Sequence, residues 1–455
     1  MGREKLYSLT VAEAAPLLKN KEISPVELFE STLEHIASVE GRIKAFVTLV
    51  PELARAAAKE AEKEILEGYY RGPLHGIPYA AKDIIYTKGI PTLGGSQAEE
   101  GFVPQTDAAV VEILREAGAV LVGKTTTTEY AFLGGTPLTC NAWNTAHTPG
   151  GSSAGSGAAV GARLVPFALG TQTIGSLLRP SAYNGLTCLK GTYGRISRRG
   201  VIPASWSLDH IGALTRSVED TAIINEILMG EDKADPRSLQ APVPQLVAAQ
   251  AKPADTMVLG YTDDFFLAED EVVQENFRKA LDLFRAKGLK VVKVSFPQDF
   301  FQTAAAAANI VMRAEAASYH RDRFARVPDK FGPYMRDEIR LGCLVSAVDY
   351  LDAQRVRRQV METLQSYFTG IDVLLTPSTV TLPPKGLASS GSPLFNGLFT
   401  NTGLPSMTIP SGFDEETGLP TGLQLAADRL QEEKLMTLGA LFQQSTDFHL
   451  KEPAL

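Results

Sequence analysis

Several common protein classes are excluded by what this chain lacks. Only three cysteines occur in 455 residues, Cys140, Cys188 and Cys343, widely spaced and without a CxxC or Cys/His pattern. Neither a disulfide framework nor a structural zinc site follows. No uncharged apolar run approaches the ~20 residues that span a bilayer, and the longest, between Arg163 and Arg179, is also rich in polar residues. A basic excess is missing too: 44 Lys and Arg face 52 Asp and Glu, a net charge of −8, so no nucleic-acid partner is expected. The densest basic cluster, Arg195-Ile-Ser-Arg198-Arg199, reads as a solvated turn. The charged start, Met1-Gly2-Arg3-Glu4-Lys5, carries no apolar signal segment, and Leu6 breaks a myristoylation motif. No fixed-period repeat or low-complexity tract occurs. The expectation is a cytoplasmic protein with no membrane association and no cofactor, open to homo-oligomerisation.

What is present alternates between helical and strand patterns. Ser24 can cap a helix with Pro25 at its first position, and Val26, Leu28, Phe29, Leu33 and Ile36 form its apolar face. A second helix runs from Pro51 to about residue 67. Gly76–Ala81 reads as a buried strand. Val110–Ala117, then Gly118, then Ala119–Val122 make the helix–glycine–strand step of α/β architecture. Ala158–Ala162 reads as a tightly packed helix, and Ser217 caps another through Met229. Further strands are predicted at Met257–Tyr261, Leu289–Val294, Val373–Leu375, Met407–Ile409 and Gly422–Leu425. Helices are predicted at 271–286, across most of 298–370, and at 431–444. The fold class is α/β, one large core with a helical insertion or cap. The division expected is an N-terminal helical segment (1–70), a core (71–230) and an exposed linker (231–255). A mainly helical variable region (256–370) and a C-terminal part of the core (371–455) follow.

Two motifs suggest chemistry that their surroundings do not support. Gly118-Ala-Val-Leu-Val-Gly123-Lys124-Thr125 matches the P-loop letter for letter, but a phosphate cradle needs backbone curled around the anion. Ala-Val-Leu-Val prefers a buried strand, so the segment reads as a strand ending in a solvated lysine. Gly151-Ser152-Ser153-Ala154-Gly155 matches the G-x-S-x-G elbow, which should follow a strand. Turn formers precede it instead. His210, His320 and His449 follow it, none marked by its surroundings, and the Asp209-His210 adjacency does not create a relay.

From Gly150 the chain reads GGSSAGSGAAVGARLVPFALGTQTIGSLLRPSAYNGLTCLKGTYGRIS. This stretch resembles the amidase signature family, whose usual form runs GGSSGGS, GTDTGGS and a GLKPTYG-like turn. Gly72-Pro-Leu-His-Gly-Ile-Pro-Tyr-Ala-Ala-Lys82-Asp83 is similar to the segment carrying the family lysine. Asn141–Pro149, Gly403–Pro410 and Gly418–Gln424 match further segments. The resemblance implies a mixed β-sheet flanked by helices and a hydrolase of amide or carbamate C–N bonds. It implies Ser176 as nucleophile, Ser152 as a bridging serine with a cis peptide bond, and Lys82 as base. The serine spacing, 176 − 152 = 24, agrees. A serine hydroxyl needs a neighbouring base, and a buried lysine serves if it is uncharged.

Thr173, Ile174, Gly175 and Ser176 are expected to form the oxyanion hole through backbone N–H groups, with Gly151, Ser153 and Gln172 supporting the site. The chain departs from the family pattern here. Ile174 replaces a glycine, Gln172 an aspartate and Leu178 an arginine, while Arg179 stands one position later; Ala154 replaces a glycine in the first loop. Loss of Asp and Arg together suggests a swapped structural pair. Phe132, Leu133, Trp143, Ile174 and Trp206 are candidate lining with no charged anchor. They suit a neutral, apolar or aromatic amide or carbamate, unless they are simply core. The alternative is a glutamine-hydrolysing subunit of a tRNA-dependent amidotransferase complex.

Overall fold

The computed structural model describes residues 3–132, 134, 137–263 and 270–455. Eleven strands form one sheet: β1 (Phe46–Leu49), β2 (Pro78–Lys82), β3 (Val120–Thr125), β4 (Phe167–Gln172), β5 (Thr187–Lys190), β6 (His210–Thr215), β7 (Val258–Tyr261), β8 (Lys290–Lys293), β9 (Val373–Pro377), β10 (Ser406–Phe413) and β11 (Pro420–Ala426). Their spatial order is β1-β3-β2-β4-β6-β5-β10-β11-β9-β7-β8. β2 lies parallel between β3 and β4, β4 runs antiparallel to β6, and β7 runs parallel to β8 and β9. The sheet is mixed and flanked by helices. β10 pairs with β5, Ser406 opposite Lys190, which stitches the C-terminal strands to the glycine- and serine-rich segment.

The helices begin where local chemistry predicts. Ser24 accepts from the Glu27 N–H while the Glu27 carboxylate accepts from the Ser24 N–H. This capping box, with Pro25 at the first position, starts Pro25–Ile43. Ser217 caps Val218–Leu228 through the Asp220 N–H. The helix Ala154–Gly161 is buried throughout. A Cβ on Gly155 would stand 2.2 Å from the Ala45 carbonyl, so only glycine lets this helix lie against the sheet. The strands β1, β4, β5 and β6 are absent from the sequence-based expectation; they are short, and all but β1 are wholly buried, so no alternation marks them.

Two expectations about charged residues are corrected. Lys124 is not solvated: it lies fully buried in β3, donates to the Ile85 carbonyl and Thr92 Oγ1, and faces Asp83 at 3.3 Å. The Arg195–Arg199 turn is not a free solvated cluster either, since its charges are paired while Arg199 stays partly exposed. Arg195 pairs with Glu432, Arg198 with Asp235, and Arg199 with Glu112 and Asp232. Opposite charges along the folded chain neutralise what sequence proximity alone left exposed.

Candidate active site

Lys82 ends β2, and Thr171 is the next-to-last residue of β4. These strands are parallel neighbours with Ala81 opposite Leu169, so both residues reach the shared carboxyl end of the parallel strands β2, β3 and β4, the end at which ligands bind in α/β sheets. Ser152 and Ser153 arrive on the loop before Ala154–Gly161, and the Gly151–Ser152 peptide bond is cis. Lys82 Nζ stands 2.7 Å from Ser152 Oγ, 2.8 Å from Thr171 Oγ1 and 3.2 Å from Ser153 Oγ. Lys82 is 0% exposed. Burial holds its ammonium well below the ordinary value, against a weaker opposing pull from the Asp209 carboxylate.

Counting hydrogens assigns roles in this array. The Ser153 hydroxyl donates to the Thr171 carbonyl, so toward Lys82 it accepts. An uncharged amine then gives an N–H to Ser153 and keeps a lone pair for the hydroxyl of Ser152 or Thr171. Ser176 lies in the turn between β4 and the helix Leu178–Tyr183 and is 6% exposed. The Lys82–Ser152 link is closed by a hydrogen bond; the Ser152–Ser176 link is not closed by one among the described residues. Nucleophile–base contacts commonly tighten only with substrate in place.

The turn from Thr173 to Ser176 is held on both sides. Thr173 Oγ1 donates to Asp209 Oδ1 at 2.6 Å, and the Ile174 carbonyl accepts from Thr400 Oγ1 at 2.7 Å. A Cβ on Gly175 would stand 2.8 Å from both Asn396 Oδ1 and the Pro393 side chain. The glycine is what admits the start of the helix Leu394–Thr402 so close to the turn.

The chain matches the Amidase family model over residues 27–436. The chain belongs to the amidase family. It is 36% identical to a glutamyl-tRNA(Gln) amidotransferase subunit of Methylococcus capsulatus and to its counterpart in Chloroflexus aggregans, across 99% of this chain and of each relative. Among solved structures it superposes with a TM-score of 0.90 and 29% identity on a chain of a vestigial protein complex that reveals the evolutionary origins of an s-triazine catabolic enzyme. That match covers 96% of this chain and 98% of the other. The peptide amidase of Stenotrophomonas maltophilia matches with a TM-score of 0.83 and 29% identity over 96% of both chains. The protein is thus an amidase-family hydrolase acting on amide C–N bonds.

Within this amidase, the departures around Ser176 resolve into a compensated arrangement. Gln172 Oε1 accepts from the N–H groups of Leu177 and Leu178 at 2.9 and 3.0 Å, and its Nε2 donates to Thr400 Oγ1. A neutral amide therefore caps the helix after Ser176. Arg179, buried, donates to the Gly151 carbonyl at 2.6 Å and the Gly391 carbonyl at 2.5 Å. Among the described residues, no carboxylate joins it.

A cavity of about 320 Å³ opens beside the array, its wall including Thr171, Thr173, Asp209, Ile84, Ile202 and Trp206. Ser176 is not part of that wall. Of the candidate lining residues, Trp206 is there. Trp143 is not: its indole N–H donates to the Asn184 carbonyl and its ring packs 4.7 Å from Phe413. Phe132 is buried in the core outside the wall, and Ile174 packs toward Gly397. Leu133 lies outside the described residues. The expectation of a pocket without a charged anchor also fails. A second cleft of about 520 Å³ shares Trp206 and Arg237 with the cavity and is lined further by Arg357, Arg358 and Arg429.

Two residues in contact with this site escaped sequence reasoning. Thr171 carried no motif of its own. Asp209 was noticed only beside His210, yet its oxygens take Thr173, Ala204 and Ser205, while His210 Nδ1 donates to the Leu208 carbonyl. Among the described residues, no cluster of three His, Cys, Asp or Glu side chains is arranged to hold a metal ion.

Proposed function

We propose that this chain hydrolyses carboxamides through an acyl-enzyme on Ser176, with Ser152 and Lys82 as the proton relay. The observation that carries the reading is the 2.7 Å contact between fully buried Lys82 Nζ and Ser152 Oγ. Uncharged Lys82 takes the Ser152 proton as Ser152 takes that of Ser176, and Ser176 Oγ attacks the carbonyl carbon. Backbone N–H groups of the 173–176 turn receive the developing oxyanion. The relay then runs backward, protonating the nitrogen as the C–N bond breaks. Water repeats the sequence on the ester and frees the acid.

The substrate favoured is glutamine or a similar amide bearing a carboxylate. The chain would then serve as the ammonia-releasing subunit of a tRNA-dependent amidotransferase, working with partner subunits in the cytoplasm. Its similarity to amidotransferase subunits over nearly their whole length supports this. So does the arginine-lined cleft, which has no acidic side chain in its wall and suits an anion. No helix among the described residues is long and apolar enough to cross a membrane. A second reading, a stand-alone amidase for neutral apolar or aromatic amides or carbamates, is favoured by the apolar part of the cavity wall at Ile84, Val201, Ile202 and Trp206.

The test is hydrolysis of glutamine, primary amides, anilides and aryl carbamates beside Ser176→Ala and Lys82→Ala controls. Ammonia release from glutamine, lost in both variants, is expected. Faster turnover of anilides than of glutamine selects the second reading. Absence of any hydrolysis, with Ser176 unlabelled by a fluorophosphonate, ends both.

A further inference from the structure

The turn 204–209 is gripped by two carboxylates from opposite directions. From the sheet side, Asp209 Oδ2 accepts from the N–H groups of Ala204 and Ser205, both at 3.0 Å, while its Oδ1 accepts from Thr173. From the helical insertion, Glu315 of the helix Phe300–Arg326 accepts from the Ser205 hydroxyl and from both the N–H and hydroxyl of Ser207. Tyr350, on the helix Ala347–Tyr367, donates its hydroxyl to Glu315 at 2.9 Å. Both carboxylates are buried. Between the two grips Trp206 remains 38% exposed, and it forms part of the cavity wall.

We propose that Asp209 is a positioning residue for the 173–176 turn, and that Glu315 extends this grip so that the insertion helices fix the turn through Ser205 and Asp209. The proposal rests on Ser176 and Lys82 acting as described above. It requires no covalent step of its own. Thr173 is the first residue of the turn, so anchoring its side chain fixes the donors that face a developing oxyanion, and such preorganisation is what the donors need to act.

The carboxylate has an electrostatic consequence as well, while the kcat-against-KM split and recovery by Thr173→Ser separate positioning from a purely structural role. The titratable and charged groups facing Asp209 are Lys82, Tyr193, Arg198 and Glu315. Around Lys82 itself the contacts are hydroxyls, and burial pushes the Asp209 carboxyl up to about 6, so above that pH the Asp209 carboxylate is the charge that favours the Lys82 ammonium form. Removing that charge makes Lys82 lose its proton at lower pH. The acid limb of the pH–rate profile therefore moves toward acid, even as the rate at the plateau falls.

The experiment compares Thr173→Val, Thr173→Ser, Asp209→Asn and Glu315→Gln, using the best substrate of the panel. Asp209→Asn is expected to lower kcat by at least tenfold with a smaller change in KM, and to shift the acid limb to lower pH. Thr173→Val should lower kcat without moving the limb, and Thr173→Ser, which keeps the hydroxyl, should recover most of the loss. Glu315→Gln leaves Asp209 intact and should lower kcat less, with the limb in place; it serves if Asp209→Asn does not fold. A kcat of folded Asp209→Asn equal to that of the parent, or Thr173→Ser as impaired as Thr173→Val, overturns the proposal. So does a kcat of Glu315→Gln equal to that of the parent. Turnover that survives Lys82→Ala would instead overturn the underlying relay, and this inference with it.

Discussion

Arg179 donates through Nη2 to the carbonyl of Gly151 at 2.6 Å and so holds the loop that carries Ser152. Its other terminal nitrogen holds Gly391, which ties the 385–393 stretch to the same loop. Burial pulls the guanidinium down to about 10, and neutral carbonyls stand where a carboxylate would be expected. Arg179→Met leaves both carbonyls without this donor, at a cost of about 1–3 kcal/mol for each buried group left unpaired. The expected outcome is a lower midpoint in chemical denaturation and a kcat reduced at least tenfold. Arg179→Lys should recover only part, because an ammonium lacks the planar fork that spans two acceptors. Unchanged rate and midpoint in Arg179→Met would refute the clamp.

The pH dependence of activity should rise along an acid limb whose midpoint lies well below the ordinary lysine value, because burial disfavours the Lys82 ammonium. Steady-state rates across pH 5–10 check this, and a flat profile counts against a lysine base.

Stability should also rise with pH above neutrality. Burial pulls Lys190 down to about 7 from 10.5, with Glu432 opposing. Between those values the unfolded chain binds more protons than the folded one, so unfolding becomes harder as pH increases through that window. Lys190→Met should flatten this rise in denaturant titrations at pH 7, 8.5 and 10. A rise of undiminished slope would show that Lys190 titrates normally.

Gly175→Ala tests the close approach at the 173–176 turn, the proposed oxyanion site. Its Cβ would meet Asn396 Oδ1 and Pro393 at 2.8 Å, and relief requires the turn or the helix Leu394–Thr402 to move. Losing one aligned oxyanion donor costs roughly 10²–10³-fold in rate, so kcat should fall on that scale. A kcat within threefold of the parent would show the turn to be tolerant.

Lys124→Met addresses the P-loop look-alike. Its removal leaves Asp83 buried beside an apolar chain, which typically destabilises by about 3–5 kcal/mol. Calorimetry with ATP should detect no binding to either the parent or the variant. ATP affinity lost with Lys124 would reverse this assignment.

Legibility varied with the range of the interaction that decides each feature. The helix starts at Ser24 and Ser217 were readable because a cap is made within three residues of its donor. The segment Glu271–Ala286 was readable from its own periodicity, and its bounds agree with the structure. β4 and β6, at the middle of the sheet, were missed because their glycine-containing, wholly buried residues carry no alternating signal. Trp143 looked like lining from its place near the glycine loop, but its partners Asn184 and Phe413 are distant in sequence.

By itself, the sequence determined most of the helices and seven of the eleven strands. It also supplied the serine and lysine types that this chemistry needs and the glycines that permit close packing. These follow from backbone preferences and from neighbours a few residues apart. Only the tertiary structure decided that Lys82 meets Ser152, Ser153 and Thr171, which lie 70, 71 and 89 residues away. It alone placed Asp209 under Thr173 and Arg179 over Gly151. A hydrogen bond forms only at contact distance, and strand order in the sheet sets which distant residues come within it.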